Sequence, residues 1–274
     1  MLLAQISDLH IKRPGLLAYK KVDTTVYLRA CVAKLNALQP RPDALIITGD
    51  LADFGAVPEY ESLRRELSVL AIPYYLVVGN HDHRASLQQV FPDHAYLRCG
   101  PAFVQYTLDF DELALIVLDT QDPPNSGGRL CTERLSWLAG ELERQRDKTV
   151  MVAMHHPPFE CGIGHMDKQA LDPQDAERLE ALLNGYRNVE RVICGHVHRS
   201  AVTRFGNTVA SICPSPAHQV AYDLSPDGPS AFVMEPPAFH VHAHLGQRWV
   251  THTVYVDDYG GRYPFYDAAG KLID

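Results

Sequence analysis

Apolar runs that end abruptly on carboxylate, amide or imidazole side chains constrain this chain more than any other feature. The run Leu45-Ile-Ile-Thr-Gly-Asp50 reads as a fully buried strand that meets a glycine and stops on a carboxylate. In open α/β sheets the chemistry sits at such strand ends. The opening segment repeats the design, with an apolar strand from Met1 that ends on Asp8 and His10. Tyr74 to Val78 runs into Gly79-Asn80-His81-Asp82, Val150 to Met154 into His155-His156-Pro157-Pro158, and Val192 to Cys194 into Gly195-His196-Val197-His198.

Helical patterns separate the first strands. Thr24 to Leu38 carries apolar residues at Val26, Cys31, Leu35 and Leu38 before Pro40 and Pro42 stop it, and Pro58 to Leu70 is a second amphipathic stretch. Strand and helix in alternation predict a parallel sheet covered by helices. Phe103 to Phe110 and Leu113 to Leu118, joined at Asp111-Glu112, read as a hairpin that breaks this rhythm and begins a second sheet. Further helices are expected over Thr132 to Arg146, with Thr132 as N-cap, and over Asp172 to Leu183. Hairpins are expected around Gly206-Asn207 and around Gly246-Gln247. The fold class is therefore α/β: a domain over 1–213, then a substrate loop and C-terminal hairpin extension over 214–274, packed on the same domain or on a neighbouring subunit.

Carboxylate, amide and imidazole side chains suit borderline divalent ions such as Zn²⁺, Mn²⁺, Fe²⁺ or Co²⁺, and the lack of Cys among them argues against a structural zinc. Asp50, with two oxygens, is the natural bridge between two ions. Ions about 3.5 Å apart can share a hydroxide and stabilise an in-line displacement at phosphorus. The formal charge of −8 disfavours long nucleic acid as a partner, because such proteins need a basic footprint. The six cysteines lack any C-x-x-C spacing and are expected to be reduced. No leader pattern and no run of about 18 apolar residues is present, so a soluble cytoplasmic protein without membrane contact is expected.

Taken in order, these blocks resemble the calcineurin-like metallophosphoesterase superfamily, and within it the class III cyclic nucleotide phosphodiesterases and the bacterial dinuclear glycerophosphodiesterases. Tyr19, Arg41-Pro42-Asp43-Ala44, His218-Gln219-Val220 and Tyr222-Asp223-Leu224-Ser225-Pro226 extend the likeness to the glycerophosphodiesterase branch. The resemblance implies a sandwich of two mixed β-sheets flanked by helices. It implies that Asp8, His10 and His198 hold one metal and Asn80, His155 and His196 the other, with Asp50 bridging. His81 is then catalytic beside the substrate, which Tyr19 and His218 also touch. The activity implied is hydrolysis of small phosphodiesters, glycerophosphodiesters or 3′,5′-cyclic nucleotides, by an oligomer of at least two subunits.

Other readings stay open. A dedicated cyclic-nucleotide enzyme, a phosphomonoesterase and a non-catalytic metal-binding scaffold all use such blocks. A monoester dianion calls for extra cations, and the blocks offer only Arg84 and Arg199. Selectivity is expected in the loops around Tyr19, 94–100, 159–167 and 214–222. His156 reads as a packing residue as readily as a direct participant, and Asp82 as a group that orients His81 or caps the next helix. His240, His242 and His244 alternate along a strand and are expected on a solvated or intersubunit face.

Overall fold

A computed structural model describes residues 1–100 and 102–273, so Pro101 and the last residue of the expected extension, Asp274, lie outside it. The first half alternates β1 (Leu2–Ile6), α1 (Thr24–Ala37), β2 (Ala44–Thr48), α2 (Val57–Leu67), β3 (Tyr74–Val77) and α3 (Arg84–Val90). The predicted hairpin follows as β4 (Tyr106–Asp109) and β5 (Leu113–Val117), then α4 (Thr132–Arg144), β6 (Thr149–Ala153), the short α5 (Gly164–Asp167), α6 (Pro173–Leu183) and β7 (Val189–Cys194). The chain closes with β8 (Ala201–Phe205), β9 (Thr208–Ile212), β10 (Gln219–Val220), β11 (Phe232–Val233), β12 (Ala238–Leu245) and β13 (Arg248–Tyr255). Thr132 is the first residue of α4 and not its cap; Cys131 occupies that position without a side-chain bond.

The strands form two large mixed sheets, ordered β13-β12-β1-β2-β3 and β4-β5-β6-β7-β9-β8, with β10 and β11 as a small separate pair. Strand alternation explains the layering. On β6, Met151 and Ala153 join the cluster shared with the first sheet, whereas Val150 and Val152 pack with Leu138 and Leu142 of α4 and with Leu179 and Leu183 of α6. The first sheet buries its far face under Leu28, Cys31 and Leu35 of α1 and Leu63 and Leu67 of α2. The result is a helix–sheet–sheet–helix sandwich.

The terminal hairpin forms over the expected residues, but it is no appendage. β12 pairs antiparallel with β1, Gln5 opposite His240 and Leu3 opposite His242, so residues 238–255 complete the first sheet. This corrects the reading of the alternating histidines. His240 and His242 are 3% and 0% exposed and face the second sheet. Gln5 Nε2 donates to Thr48 Oγ1 (3.0 Å) and to the Cys194 carbonyl of the opposite sheet (3.0 Å), while its Oε1 accepts from His242 Nε2 (3.0 Å). His242 Nδ1 in turn accepts from Thr251 Oγ1 at 2.8 Å. A continuous polar seam thus bolts the two sheets together just before each begins to present its site residues.

Candidate metal centre

The ends of β1, β2, β3, β6 and β7 meet at one rim of the sandwich. Gly79 and Gly195 make the approach possible: a Cβ at Gly79 would collide with the Asp50 carboxylate, and one at Gly195 with Ser7 Oγ, the Thr48 carbonyl and Asp8 Oδ2. The backbone is strained where the polar groups turn inward. Asp8, His10, Asp50, His196 and His198 all take positive φ, between 43° and 72°. Such outliers gather where structure over-determines a conformation for function.

The rings fall into facing pairs. His10 Nδ1 lies 3.1 Å from Asp53 Oδ1, His198 Nδ1 3.1 Å from the His218 carbonyl, and His155 Nδ1 2.8 Å from the Thr48 carbonyl. Oxygen acceptors on those sides place the one proton of each neutral imidazole there, so the other nitrogens point inward as lone pairs. His10 Nε2 then faces His198 Nε2 at 3.2 Å, and His155 Nε2 faces His196 Nδ1 at 3.2 Å and Asn80 Oδ1 at 3.1 Å. For neutral His10 and His198, whose outward nitrogens both meet oxygen acceptors, acceptor then faces acceptor, which is unfavourable unless a cation lies between, so the donor set fits metal ions. His196 Nε2 is buried without a partner, a further sign that this ring is placed for something other than a protein contact.

Asp50 stands between the two pairs. Its Oδ2 is 3.5 Å from His10 Nε2 and its Oδ1 3.4 Å from His155 Nε2. Asp8, fully buried, approaches His198 Nε2 at 3.5 Å. Asp8, His10 and His198 form one group able to hold an ion, and Asp8, Asp50 and His155 another.

The electrostatics point the same way. Burial opposes ionisation of Asp50, yet His155 and His81 outweigh it and hold the carboxyl well below its ordinary value. Burial pushes Asp8 up to about 6. At His155 burial favours the neutral ring, but Asp50 prevails and lifts it to about 9. Burial and neighbouring rings drive His198 down to about 3 and His218 to about 2. The site thus attracts positive charge at its centre: the rings nearest Asp50, His10 and His155, are raised, while His198 and His218 further out are lowered.

His81 donates its main-chain N–H to Asp50 Oδ1 (2.9 Å), and its ring Nδ1 lies 2.8 Å from the Asp53 carbonyl, which leaves Nε2 for the cleft. Tyr19 and His218 line the same cleft, of about 380 Å³, above the facing rings. His156 sits behind the centre, fully buried, with Nδ1 2.7 Å from Thr120 Oγ1 and Nε2 3.0 Å from the Ser126 carbonyl. Both nitrogens have protein partners, although His155, His156 and His196 also stand close enough together to form a group able to hold an ion. Asp82 neither orients the His81 ring nor caps α3. It accepts from the backbone N–H groups of Gly79, Leu51 and Ala52 and from the Tyr60 hydroxyl, and so clamps the two acidic turns together.

Some contributors escaped the sequence reading. Asp53 accepts from His10 Nδ1 and from Lys12 Nζ (2.6 Å), and its spacing in Gly49-Asp50-Leu51-Ala52-Asp53 was the available sign. After β5, Gln121 holds the Gly79 and Asp82 carbonyls and Thr120 holds His156, a sixth strand end in polar residues. Residues 230–232 form part of the cleft wall. The loop at 94–100 does not reach the cleft; His94 packs on Phe91, Tyr74 and Tyr96.

With this geometry in view, comparison with known proteins is decisive. Residues 1–200 match the calcineurin-like phosphoesterase family model. The chain belongs to that family. It is 40% identical over 275 residues, the whole of both chains, to a probable glycerophosphodiester phosphodiesterase of Arcobacter nitrofigilis. It is 34% identical over 85% of its length, and 85% of the other's, to a probable cyclic nucleotide phosphodiesterase of Rhodopseudomonas palustris. A dimetal phosphatase from Danio rerio shares the fold with a TM-score of 0.70 and 14% identity, covering 94% of this chain and 97% of that one. Members of this family use a dinuclear divalent metal centre, and the His and Asp groups described above suit one.

Proposed function

We propose that the chain is a dinuclear metal-dependent phosphodiesterase acting on small phosphodiesters. The observation that carries this reading is Asp50, whose two oxygens address two separate imidazole pairs. Asp8, His10 and His198 hold one ion, Asn80, His155 and His196 the other, and Asp50 bridges them. The ions are drawn from Mn, Fe, Zn and Co; imidazole with carboxylate accepts all of these. Residues 1–213 supply the ligands, and the segment from 214 supplies His218 and one wall of the cleft.

Bound there, two divalent ions supply charge for the phosphoryl oxygens and the acidity that makes water nucleophilic at neutral pH. The protein does the rest. Asp53, Thr48 and the His218 carbonyl fix the ring orientations from outside. His81, held through Nδ1, directs Nε2 at the cleft, where it donates to a phosphoryl oxygen or passes a proton to the departing alkoxide. Tyr19 and His218 bound the space for the ester group.

A diester carries one negative charge and a monoester two. Arg84 is engaged with Asp119, and Arg199 with the Val220 carbonyl and Glu235; neither lines the cleft. That favours the diester. The relatives' names support both glycerophosphodiesters and cyclic nucleotides as substrates, with a dedicated cyclic-nucleotide enzyme as the second reading. A cytoplasmic site of action, without membrane contact, belongs to this reading and is supported by six unpaired cysteines.

We include an assembly of at least two subunits, supported by exposed Tyr259, Tyr263, Phe265 and Tyr266 in the terminal segment. Light scattering that returns a monomer mass at micromolar concentration would refute it. Initial rates of metal-reconstituted protein on cyclic AMP, glycerophosphoethanolamine and a phosphomonoester test the activity. Turnover of both diesters with little on the monoester is expected; a preference for cyclic AMP above about a hundredfold selects the second reading, and turnover of the monoester alone refutes the proposal.

A further inference from the structure

The cleft has two unlike walls. On one side Tyr19, His218 and Phe232 lie ring against ring, with centroids 5.1 to 5.4 Å apart. Rings in mutual contact make a continuous apolar surface and leave no slot in which a cation could sit between two faces. Opposite them, α5 and the turn that continues it bring His165, Met166 and Gln169 to the cleft.

His165 lies on α5 and Gln169 in the turn that follows it, and both line the same side of the cleft. Gln169 Nε2 donates to the His165 carbonyl at 3.0 Å, which anchors the amide while leaving its oxygen and one N–H available. The His165 imidazole has no hydrogen-bond partner among the described residues, although it is half-buried in the cleft wall. A tethered amide with hydrogen-bonding capacity to spare and an unpartnered imidazole thus line the substrate space. Among the described residues lining the cleft there is no Lys, Arg or Glu, and Asp50 is the one carboxylate. Neither a cationic head group nor a second phosphate finds a counter-charge there.

We propose that His165 and Gln169 read two adjacent hydroxyls on one arm of the diester, so that this site prefers substrates bearing an uncharged vicinal diol, as a glycerol arm does. The inference rests on the diesterase reading and deepens it. The second arm meets the aromatic wall and the open mouth and is only loosely selected. A 3′,5′-cyclic nucleotide, with a single free ribose hydroxyl, satisfies one of the two groups.

The test compares glycerophosphoethanolamine with its diol-free counterpart, the propyl ester of phosphoethanolamine, on metal-loaded protein. The wild type is expected to favour the glycerol ester in kcat/KM. His165→Ala and Gln169→Leu, made separately so that either can report if the other misfolds, are each expected to lower that preference about fivefold to tenfold, the worth of one hydrogen bond. A ratio that stays at the wild-type value, whether both rates fall together or neither falls, overturns the inference: the residues would then serve chemistry or folding rather than recognition. A wild type that cleaves both esters without preference overturns it as well. A wild type that cleaves neither ester sinks the diesterase reading itself, and the inference falls with it.

Discussion

Replacing Gln5 by Leu tests whether the polar seam between the sheets holds the metal centre in shape. Gln5 is fully buried in β1, three residues before Asp8, and its partners Thr48 and Cys194 each precede a site residue, Asp50 and His196, by two positions. Leucine has a similar volume, so the cavity cost is small. What is lost is the acceptor for His242 Nε2 and the donor to the Cys194 carbonyl, while Thr48 Oγ1 keeps only a long 3.4 Å bond to the Ile6 carbonyl. The Cys194 carbonyl keeps the Cys213 N–H at 2.9 Å, so the buried group left orphaned is His242 Nε2, and the predicted loss is about 1–3 kcal/mol. That is a measurable share of a typical total of about 5–15 kcal/mol. Urea unfolding of the metal-free protein measures it, with the slope m unchanged. Adding His242→Phe to Gln5→Leu removes that orphan and should recover most of the loss, a non-additivity expected only of coupled neighbours. A loss below about 1 kcal/mol in the single variant, or simple additivity in the pair, would refute the reasoning.

Further outcomes follow from the same geometry. Burial and the Arg191 charge push His240 down to about 4, below its ordinary 6.5. Between those values the unfolded chain binds a proton that the folded chain refuses, so stability is complete above about pH 6.5 and falls as pH drops towards 4, by up to about 3 kcal/mol from this ring. His240→Phe should flatten the urea midpoint across that window; an unchanged slope contradicts the assignment. His81→Ala should slow alkyl diesters by about 10²–10⁴-fold and nitrophenyl esters, whose leaving groups need no proton, far less; equal losses would remove His81 from leaving-group protonation. Gly195→Ala places a methyl against Asp8, Ser7 and Thr48 and should abolish tight metal binding even where the fold survives. Calorimetric titration with Mn²⁺ checks it, and wild-type affinity would mean that the rim yields more than its packing suggests.

Much of the site was legible because its signals are local. Each site strand is a short apolar run, and each ends on residues whose chemistry is plain: Asp8 and His10, Asp50, Asn80 and His81, His155, His196 and His198. The misreadings share one cause, a partner far away in the chain. Period-two alternation put His240 and His242 on one face, but only the pairing of β12 with β1, some 235 residues earlier, decides that this face is the buried one. Asp82 looked like a neighbour's helper, yet its partners include Leu51 and Ala52, 31 and 30 residues back. The cleft walls were half visible. Tyr19, His218 and the stretch containing His165 lay in loops singled out in advance, whereas Phe232 comes from a two-residue strand with no periodicity to announce it. The loop at 94–100 was misplaced because its His and Tyr residues suit a site as well as a core.

Metal stoichiometry tests the central claim most directly. Metal-free protein and Asp50→Ala are titrated with Mn²⁺ by calorimetry while diesterase activity on glycerophosphoethanolamine is followed in parallel. A bridging Asp50 predicts two ions per wild-type chain, activity that rises with the second, and a variant that neither holds the pair nor turns over. Two tightly held ions and a near-normal rate in Asp50→Ala would contradict the account, as would full activity in the wild type with a single ion bound.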